Sequence, residues 1–271
     1  MAGAAQVLAE ARVPSPQVDA RLLAEHVADV DALVLAPAPD AELVRRYATA
    51  VERRRRREPL QHITGRMHFR HLVLRSAPGA FVVRPETEVV AQAAIDAVRE
   101  TPGRVVDLCS GSGAIALAVA TEVPGCEVHA VELAPDALVV ARENVAAIAP
   151  EVHLVAGDAA SALPELDGQV DVVVANPPYI PPDAEPAEPE VREHDPDQAL
   201  YGGGTDGLQV PRVVLATAGR LLRPGGVLVM EHAEVQAAAV RQLVLATGLF
   251  EDVRTGPDLT GRDRFVRARR R

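Results

Sequence analysis

From residue 104 onward, short apolar segments alternate with amphipathic ones. Four segments have the length and composition of buried strands: RVVDL (104–108), EVHAVEL (127–133), VHLVAGD (152–158) and VDVVVAN (170–176). Helical patterns such as SGAIALAVATE and PDALVVARENVAAI separate most of them. Strands joined through helices pair in parallel with right-handed crossovers, so this part predicts an open α/β sheet covered on both faces. In such sheets, ligands bind at the carboxyl ends of the strands.

The rest of the chain has a different pattern on either side of this region. Residues 1–58 form three helical segments, with Ser15 and Asp40 in possible capping positions. Two alternating pieces, HFRHLVL and AFVVRP, predict a small hairpin between residues 59 and 85. A loop rich in Pro and Glu (181–204) precedes a helix near 207–222, the strand GGVLVMEH, a helix near 234–247 and the closing pieces FEDVRT and DRFVRAR. We therefore predict a helical domain (1–58), a linker with a hairpin (59–85) and an α/β domain (86–271).

Composition limits the class of protein. The 271 residues are 48% hydrophobic, which is enough for a sizeable core. The formal net charge of −10 argues against a protein that mainly grips phosphates, so no nucleic acid partner is expected. No apolar run is long enough to cross a bilayer, and two cysteines, Cys109 and Cys126, suit a reducing compartment. We expect a cytoplasmic protein with no membrane partner.

Three local clusters of residues give little reason to predict a functional site. His62, His68 and His71 lie close in sequence, but no fourth ligand accompanies them, so we predict no metal site. The arginines at 53–57 are typical of a solvated helix end, with a docking patch for an acidic or RNA-bearing partner as the alternative. RPETE (84–88) has the composition of an ordinary helix start and needs no function.

The segment VVDLCSGSGAIALA puts Gly111 and Gly113 in a turn between a strand and a helix. Glycine lets the backbone approach a ligand there, and the helix start offers unpaired N–H groups. Together with Ala116 they satisfy the pattern G-x-G-x-x-G/A, and Glu132 has the spacing of a carboxylate that binds ribose hydroxyls. This pattern fits NAD and S-adenosylmethionine alike.

Two aspartates accompany this turn, and each has two interpretations. Asp107, near the end of the first strand, could hold the loop or bind the ammonium group of a methionine-type cofactor. Asp158, at the end of the third strand, could accept a hydrogen bond from an adenine amino group or cap a helix.

The valine run 172–174 leads to Asn176, Pro177, Pro178 and Tyr179 at a strand's carboxyl end. A hydride-transfer enzyme has no evident use for this corner, whereas methylation of an amide or aromatic amine does. The lone pair of such a nitrogen is delocalised. If the Asn176 side-chain oxygen and the Pro177 carbonyl each accept one N–H of the substrate, they favour a pyramidal, nucleophilic nitrogen. We therefore predict that Asn176, Pro177 and Tyr179 are catalytic, with Tyr179 packing on the flat amide.

With these motifs in place, the chain resembles the protein glutamine methyltransferases that modify bacterial peptide chain release factors, the HemK/PrmC family. The matching stretches, in family order, are REPLQHITG, VVRPETE, VVDLCSGSGAIALA, VDVVVANPPYI, EHDPDQALYGGGTDGL, LLRPGGVLVMEH and GRDRFVRAR. NPPY alone is shared with DNA adenine-amino methyltransferases, whereas RPETE together with the GGGTDGL stretch is far more specific. The resemblance covers nearly the whole chain.

The resemblance implies a class I S-adenosylmethionine-dependent methyltransferase domain. Such a domain is Rossmann-like, with a seven-stranded, mostly parallel sheet whose last two strands form a hairpin. A small amino-terminal helical domain helps to seat the release factor, and S-adenosylhomocysteine is the cofactor product. The implied target is the glutamine of the Gly-Gly-Gln motif.

The resemblance also assigns the predicted site residues. The turn that wraps the cofactor consists of Cys109, Ser110, Gly111, Ser112 and Gly113. Glu132 holds the ribose, Asp158 and Ala159 flank the adenine, and residues 176–179 grip the target glutamine. Asp107 and Asn176 complete the cofactor-binding set, and Pro178 completes the substrate-binding set.

Several positions depart from the commoner family pattern. Cys109 and Ser110 stand where Gly and Thr are frequent, Glu132 replaces a frequent Asp, and Ala159 lacks the aromatic ring that sometimes stacks on adenine. The stretch EHAEVQ (231–236) replaces a form with Gly. None of these changes removes a group that the mechanism needs.

Four alternatives stay open at this point. They are a glutamine methyltransferase acting on another translation protein, a DNA adenine-amino methyltransferase, a dinucleotide-dependent oxidoreductase and a non-enzymatic cofactor-binding protein. The expected partner is a bacterial release factor, and we expect a monomer.

Overall fold

A computed structural model describes residues 1–36 and 38–271 and divides the chain into two compact units. The first unit comprises Met1–Arg66, Ser76–Pro78 and Pro186–His194. The second comprises Met67–Arg75, Gly79–Glu185 and Asp195–Arg271. The functional domain bounds that the sequence suggested stay a prediction.

The described residues form helices and strands in the following order. The helices are α1 (Ala2–Glu10), α2 (Pro16–Ala28), α3 (Ala41–Arg55), α4 (Leu60–Thr64), α5 (Thr87–Val98), α6 (Ala114–Glu122), α7 (Pro135–Ile148), α8 (Pro189–His194), α9 (Asp197–Leu200), α10 (Gln209–Leu221) and α11 (Ala237–Ala246). The strands are β1 (Arg66–Phe69), β2 (Leu72–Arg75), β3 (Arg104–Leu108), β4 (Glu127–Glu132), β5 (His153–Ala156), β6 (Val170–Ala175), β7 (Leu222–Glu231), β8 (Phe250–Pro257) and β9 (Asp263–Arg270).

The first unit is helical, as its apolar spacing predicted. The segments predicted as three helices correspond to α1, α2 and α3, while α4 was not predicted. Leu8, Leu23 and Ile63 are among the buried residues of its core. Asp40 caps α3, since its Oδ1 accepts a hydrogen bond from Leu43 N at 2.8 Å. Ser15 stands at the start of α2, but its side chain makes no cap hydrogen bond.

The second unit contains a seven-stranded sheet of order β5-β4-β3-β6-β7-β9-β8. The pairs from β5 to β7 are parallel, and β9 is antiparallel to both β7 and β8. Successive residues of a strand point to opposite faces. Accordingly, Val172 and Val174 belong to one apolar core cluster, whereas Val173 and Ala175 belong to a second. The predicted mostly parallel sheet with a terminal hairpin is confirmed.

The segment around residues 66–85 folds differently from the prediction. HFRHLVL does not form one strand, because the chain turns at Arg70 (φ 54°) and gives β1 and β2. Arg70 N donates to Glu88 Oε1 at 2.8 Å, and its guanidinium donates to Gln92 Oε1 at 2.7 Å, which stabilises the turn. AFVVRP is not a strand, since the Val82 and Val83 N–H groups donate to the side chains of Asp195 and Met67.

Two further features concern the whole described chain. The segment 181–204, predicted as a loop, includes the short helices α8 and α9. None of the helices formed by residues 1–36 and 38–271 has the length and apolar character to traverse a lipid bilayer.

Candidate active site

The strand register brings the predicted site residues together at one edge of the sheet. Leu108 of β3 pairs with Ala175 of β6, so Cys109 and Asn176 directly follow paired residues of neighbouring strands. Strand order reverses between β3 and β6, which is where open α/β sheets bind ligands. The carboxyl edge of the sheet thus presents, in spatial order, Gly157, Glu132, Cys109, Asn176 and Glu231.

Three residues of the glycine turn after β3 have a left-handed backbone. Cys109, Gly111 and Gly113 have φ values of 60°, 57° and 83°. Ser110 N donates to the carbonyl of Val131 at 3.0 Å, and Gly113 N donates to the carbonyl of Ser110 at 2.9 Å. A Cβ placed on Gly111 would meet no atom within 4 Å. Open space therefore lies over the turn just before α6 begins.

Glu132 supports this turn with its own carboxylate. Its Oε2 accepts from Gly111 N at 2.7 Å, and its Oε1 accepts from Leu133 N at 2.8 Å and Ala134 N at 2.7 Å. A carboxylate has about four acceptor positions, so binding of a ribose hydroxyl would use the remaining capacity. The structural task of Glu132 was not foreseen in the sequence, and its ribose contact stays a prediction.

Asp107 is fully buried beneath the turn. Its Oδ2 accepts from Ala116 N of α6 at 3.1 Å, while Oδ1 has no hydrogen-bond partner among residues 1–36 and 38–271. Burial, with a smaller effect of Glu132, raises the pKa of Asp107 to about 8. One oxygen therefore stabilises the start of α6, and the other is left without a protein partner.

The electrostatic surroundings of the turn favour a cation. Burial raises the pKa of the Cys109 thiol, and the nearby carboxylates of Glu132, Asp107 and Asp158 raise it further. The negative charges of Glu132 and Asp158 would repel the pyrophosphate of a dinucleotide. A ligand with ammonium and sulfonium groups suits this field better.

The segment after β5 borders the same edge. Asp158 is exposed, and its Oδ1 accepts from Ala160 N at 2.8 Å, so it caps the short helical turn Ala159–Ser161. Ala159 is buried, and its carbonyl accepts from Thr217 Oγ1 at 2.8 Å. Contact of either residue with adenine stays a prediction.

The NPPY corner follows β6 directly. Asn176 Nδ2 donates to Thr87 Oγ1 at 3.2 Å, and the Tyr179 hydroxyl donates to Glu231 Oε1 at 3.2 Å. In the part of the chain that the structure describes, neither Asn176 Oδ1 nor the Pro177 carbonyl accepts a hydrogen bond. Burial raises the pKa of Tyr179, and the adjacent Glu231 raises it further. Two acceptor oxygens of the corner are thus unused by the protein itself.

The loop GGGTDG (202–207) packs backbone to backbone against this corner. A Cβ on Gly207 would lie 2.3 Å from the Tyr179 carbonyl oxygen, and a Cβ on Gly202 would lie 2.6 Å from that of Pro178. Gln236 Nε2 donates to the carbonyls of Tyr179 at 2.8 Å and Asp206 at 3.0 Å. Only glycine permits this approach at positions 202 and 207.

Comparisons with known proteins identify the family of this chain. The family described as PrmC N-terminal domain matches residues 1–65, and the family described as Methyltransferase small domain matches residues 72–187. A release factor glutamine methyltransferase of Streptomyces coelicolor is 52% identical, with 100% of this chain and 96% of that protein covered. Another from Bifidobacterium longum is 44% identical, with 97% and 96% covered. This chain belongs to the release factor glutamine methyltransferase family.

Solved structures support the fold of this release factor glutamine methyltransferase family member. A methyltransferase from Pyrococcus furiosus superposes with a TM-score of 0.51 at 18% identity, covering 74% of this chain and 90% of that one. At this identity the likeness concerns the fold alone. It agrees with the predicted class I methyltransferase fold, which is confirmed.

Within this family member, RPETE makes side-chain contacts that its composition did not predict. Thr87, which is fully buried, contacts the Asn176 side chain, and the Arg84 guanidinium pairs with Asp195. The interpretation of RPETE as a helix start agrees with α5 beginning at Thr87, but it did not include the contact with Asn176. The available signal was its place among the stretches that carried the family resemblance.

The arginine run agrees with its prediction in part, since Arg53, Arg55 and Arg56 are exposed at the end of α3. In the first unit, Arg54 Nε lies 2.7 Å from Asp19 Oδ2 and Arg54 Nη1 lies 2.8 Å from Glu190 Oε1. Arg57 Nε donates to Glu190 Oε1 at 2.7 Å. Arg54 is only 5% exposed, so a solvated helix end is the wrong description for Arg54 and Arg57. These two arginines instead bind α8 to the other helices of this unit.

Proposed function

We propose that the protein transfers a methyl group from S-adenosylmethionine to the side-chain amide nitrogen (N5) of the glutamine in the Gly-Gly-Gln motif of bacterial class I peptide chain release factors. The main support is the pair of unused acceptors, Asn176 Oδ1 and the Pro177 carbonyl, one strand from the glycine turn. The names of the relatives point to the same substrate.

The residues of the turn fit S-adenosylmethionine. When bound, this cofactor supplies an electrophilic methyl group on a sulfonium. We propose that Asp107 Oδ1, which has no partner within the described residues, binds the cofactor's ammonium group. The turn Cys109–Gly113 would approach the cofactor through the open space over Gly111, and Glu132, Asp158, Ala159 and Asn176 would complete the site.

The corner would prepare the substrate nitrogen for attack. Asn176 Oδ1 and the Pro177 carbonyl accept one N–H each, which holds the amide near the glycine turn and favours a nucleophilic lone pair. Pro178 and the Tyr179 ring border the flat carboxamide. No strong base is needed before the transfer, because the alkylated nitrogen is acidic and its proton can leave to water or a neighbouring acceptor.

We propose the following division of labour along the chain. Residues 1–58 serve as a docking domain for the release factor, residues 59–85 as a linker and residues 86–271 as the methyltransferase domain. We further propose that the protein acts in the cytoplasm as a monomer, without direct contact to nucleic acid.

The test is a methylation assay with mass spectrometry. The protein is incubated with labelled S-adenosylmethionine and purified release factors, either wild type or with the motif glutamine replaced. We expect one methyl group on the motif glutamine and none on the replaced substrate. Label in duplex DNA, or in another translation protein, with none in the release factor would overturn the proposal.

A further inference from the structure

The Asn176 side chain is fixed at its nitrogen by a residue outside the NPPY corner. Asn176 Nδ2 donates to Thr87 Oγ1 at 3.2 Å, and Thr87 lies at the start of α5 with no exposed surface. A primary amide has donors on one end and an acceptor on the other. Holding Nδ2 at Thr87 therefore presents Oδ1 at the opposite end of the amide.

Glu231 connects this contact to Tyr179. It is the last residue of β7, in which Met230 pairs with Ala175, so Glu231 and Asn176 follow paired residues of neighbouring strands. Glu231 Oε1 accepts the Tyr179 hydroxyl at 3.2 Å. Thr87 is also a hydrogen-bond partner of the Glu231 side chain and in that way lowers the pKa of its carboxyl. The Glu231 side chain thus contacts Tyr179 directly and lies next to Thr87, which in turn contacts Asn176.

The burial of Glu231 is costly and calls for a physical reason. The residue is 2% exposed in a strand whose neighbouring positions are Val229 and Met230, and burial raises its pKa to about 7. Arg264 and the Tyr179 hydroxyl lower that pKa, and Glu86 raises it. An apolar residue would fill the position without the cost of burying a carboxyl group. What the carboxyl group adds is a fixed direction for the hydroxyl groups around it.

We propose that Thr87 and Glu231 are positioning residues for methyl transfer. Thr87 holds the Asn176 amide with Oδ1 towards the substrate. Glu231 fixes the hydroxyl of Tyr179 and the side chain of Thr87. Neither residue touches the substrate. The inference rests on the proposed function, because that function gives Asn176 Oδ1 its role as an acceptor.

Steady-state kinetics of Thr87 variants test this inference. Thr87→Val removes the hydroxyl that accepts from Asn176, and Thr87→Ser keeps it. We expect Thr87→Val to lower kcat by roughly 10- to 100-fold, while KM for the release factor and Kd for S-adenosylhomocysteine stay within about twofold. Thr87→Ser should recover most of the wild-type kcat. A role in folding alone would lower the thermal midpoint without this separation of kcat from KM.

Two further variants complete the design. Thr121→Val is the matched control, because Thr121 Oγ1 donates only to carbonyls within its own helix, Leu117 at 2.7 Å and Ala118 at 3.3 Å. Its kcat should equal that of the wild type. Glu231→Gln keeps the side-chain shape, and we expect it to lower kcat by about 5- to 20-fold. It supplies an independent measurement if Thr87→Val folds poorly.

The possible results separate this inference from the proposed function. A wild-type protein that leaves the release factor unlabelled overturns both. Wild-type labelling together with an unchanged kcat in Thr87→Val or Glu231→Gln overturns the positioning role alone. Equal losses in Thr87→Ser and Thr87→Val also overturn it, since the serine retains the hydroxyl.

Discussion

The glycine turn and the NPPY corner lie one strand apart, yet they are supported in different ways. The turn is held by backbone groups and by the carboxylates of Asp107 and Glu132, which lie within about one βαβ unit. The corner is held by side chains and backbone from distant segments: Thr87, Gly202, Gly207, Glu231 and Gln236. The turn proposed to bind the cofactor is thus supported locally, whereas the corner proposed to orient the substrate amide depends on contacts from several segments of the chain.

The largest expected effect comes from Asn176→Ala. Loss of the Oδ1 acceptor should lower kcat for release factor methylation by about 10² to 10³-fold, the range found when one polar contact to the reacting group is removed. Affinity for S-adenosylhomocysteine should change far less, because the turn keeps its own supports. Single-turnover kinetics and calorimetry measure the two effects. If the Kd for S-adenosylhomocysteine rose by the same factor by which kcat fell, the NPPY corner and the glycine turn would not have separate roles.

A smaller effect is expected at Gly207. Gly207→Ala puts a Cβ 2.3 Å from the Tyr179 carbonyl oxygen, so the corner must shift, and a shift of about 1 Å can lower turnover by about 100-fold. Gly168→Ala is the matched control, because Gly168 has φ +69° against +73° for Gly207 and has no atom within 4 Å of the added Cβ. The control should lose about 1 kcal/mol of stability and no turnover. Equal kcat in both variants would contradict support of the corner by this loop.

The smallest expected effect is the pH dependence of S-adenosylhomocysteine binding at the glycine turn. Asp107 has a pKa of about 8, so it is mostly protonated at pH 6, and binding an ammonium group favours its ionised form. Affinity for S-adenosylhomocysteine should therefore rise with pH between 6 and 7.5, by up to about tenfold per unit. Calorimetry in buffers of different ionisation enthalpy should detect proton release on binding.

Asp107→Asn provides the comparison for this pH effect. The variant cannot titrate at this position, so its affinity should be nearly independent of pH over the same range. A wild-type affinity that does not change between pH 6 and 7.5 would contradict the ammonium contact.

The sheet and the turn could be predicted from sequence because their signals are local. The valine-rich strands alternate with helices, and the glycines follow a strand directly, so parallel pairing and a ligand site at the carboxyl edge followed from general rules. Asp40 could be identified as a cap for the same reason, since it bonds three residues along the chain.

The supports of the corner could not be predicted in this way. Thr87 and Asn176 are separated by 89 positions and Tyr179 and Glu231 by 52, and no periodicity connects such pairs. The composition of RPETE is fully explained by a helix start, so it gave no indication that Thr87 contacts Asn176. The hairpin at 66–75 was misplaced because the side chains of Glu88 and Gln92 stabilise its turn, and these also lie outside the local pattern.

Glu190 has a consequence for experiments that divide the chain. Its carboxylate, 13% exposed, pairs with Arg54 and Arg57, although it follows the NPPY corner in sequence and they precede it. A proteolytic fragment that begins at Met67 would retain Glu190 but lose both cations, and a fragment ending at Arg66 would retain two guanidinium groups without that anion. Each half would carry an uncompensated charge of its own. Point substitutions on α1–α3 therefore test the proposed docking of the release factor more cleanly than truncation does.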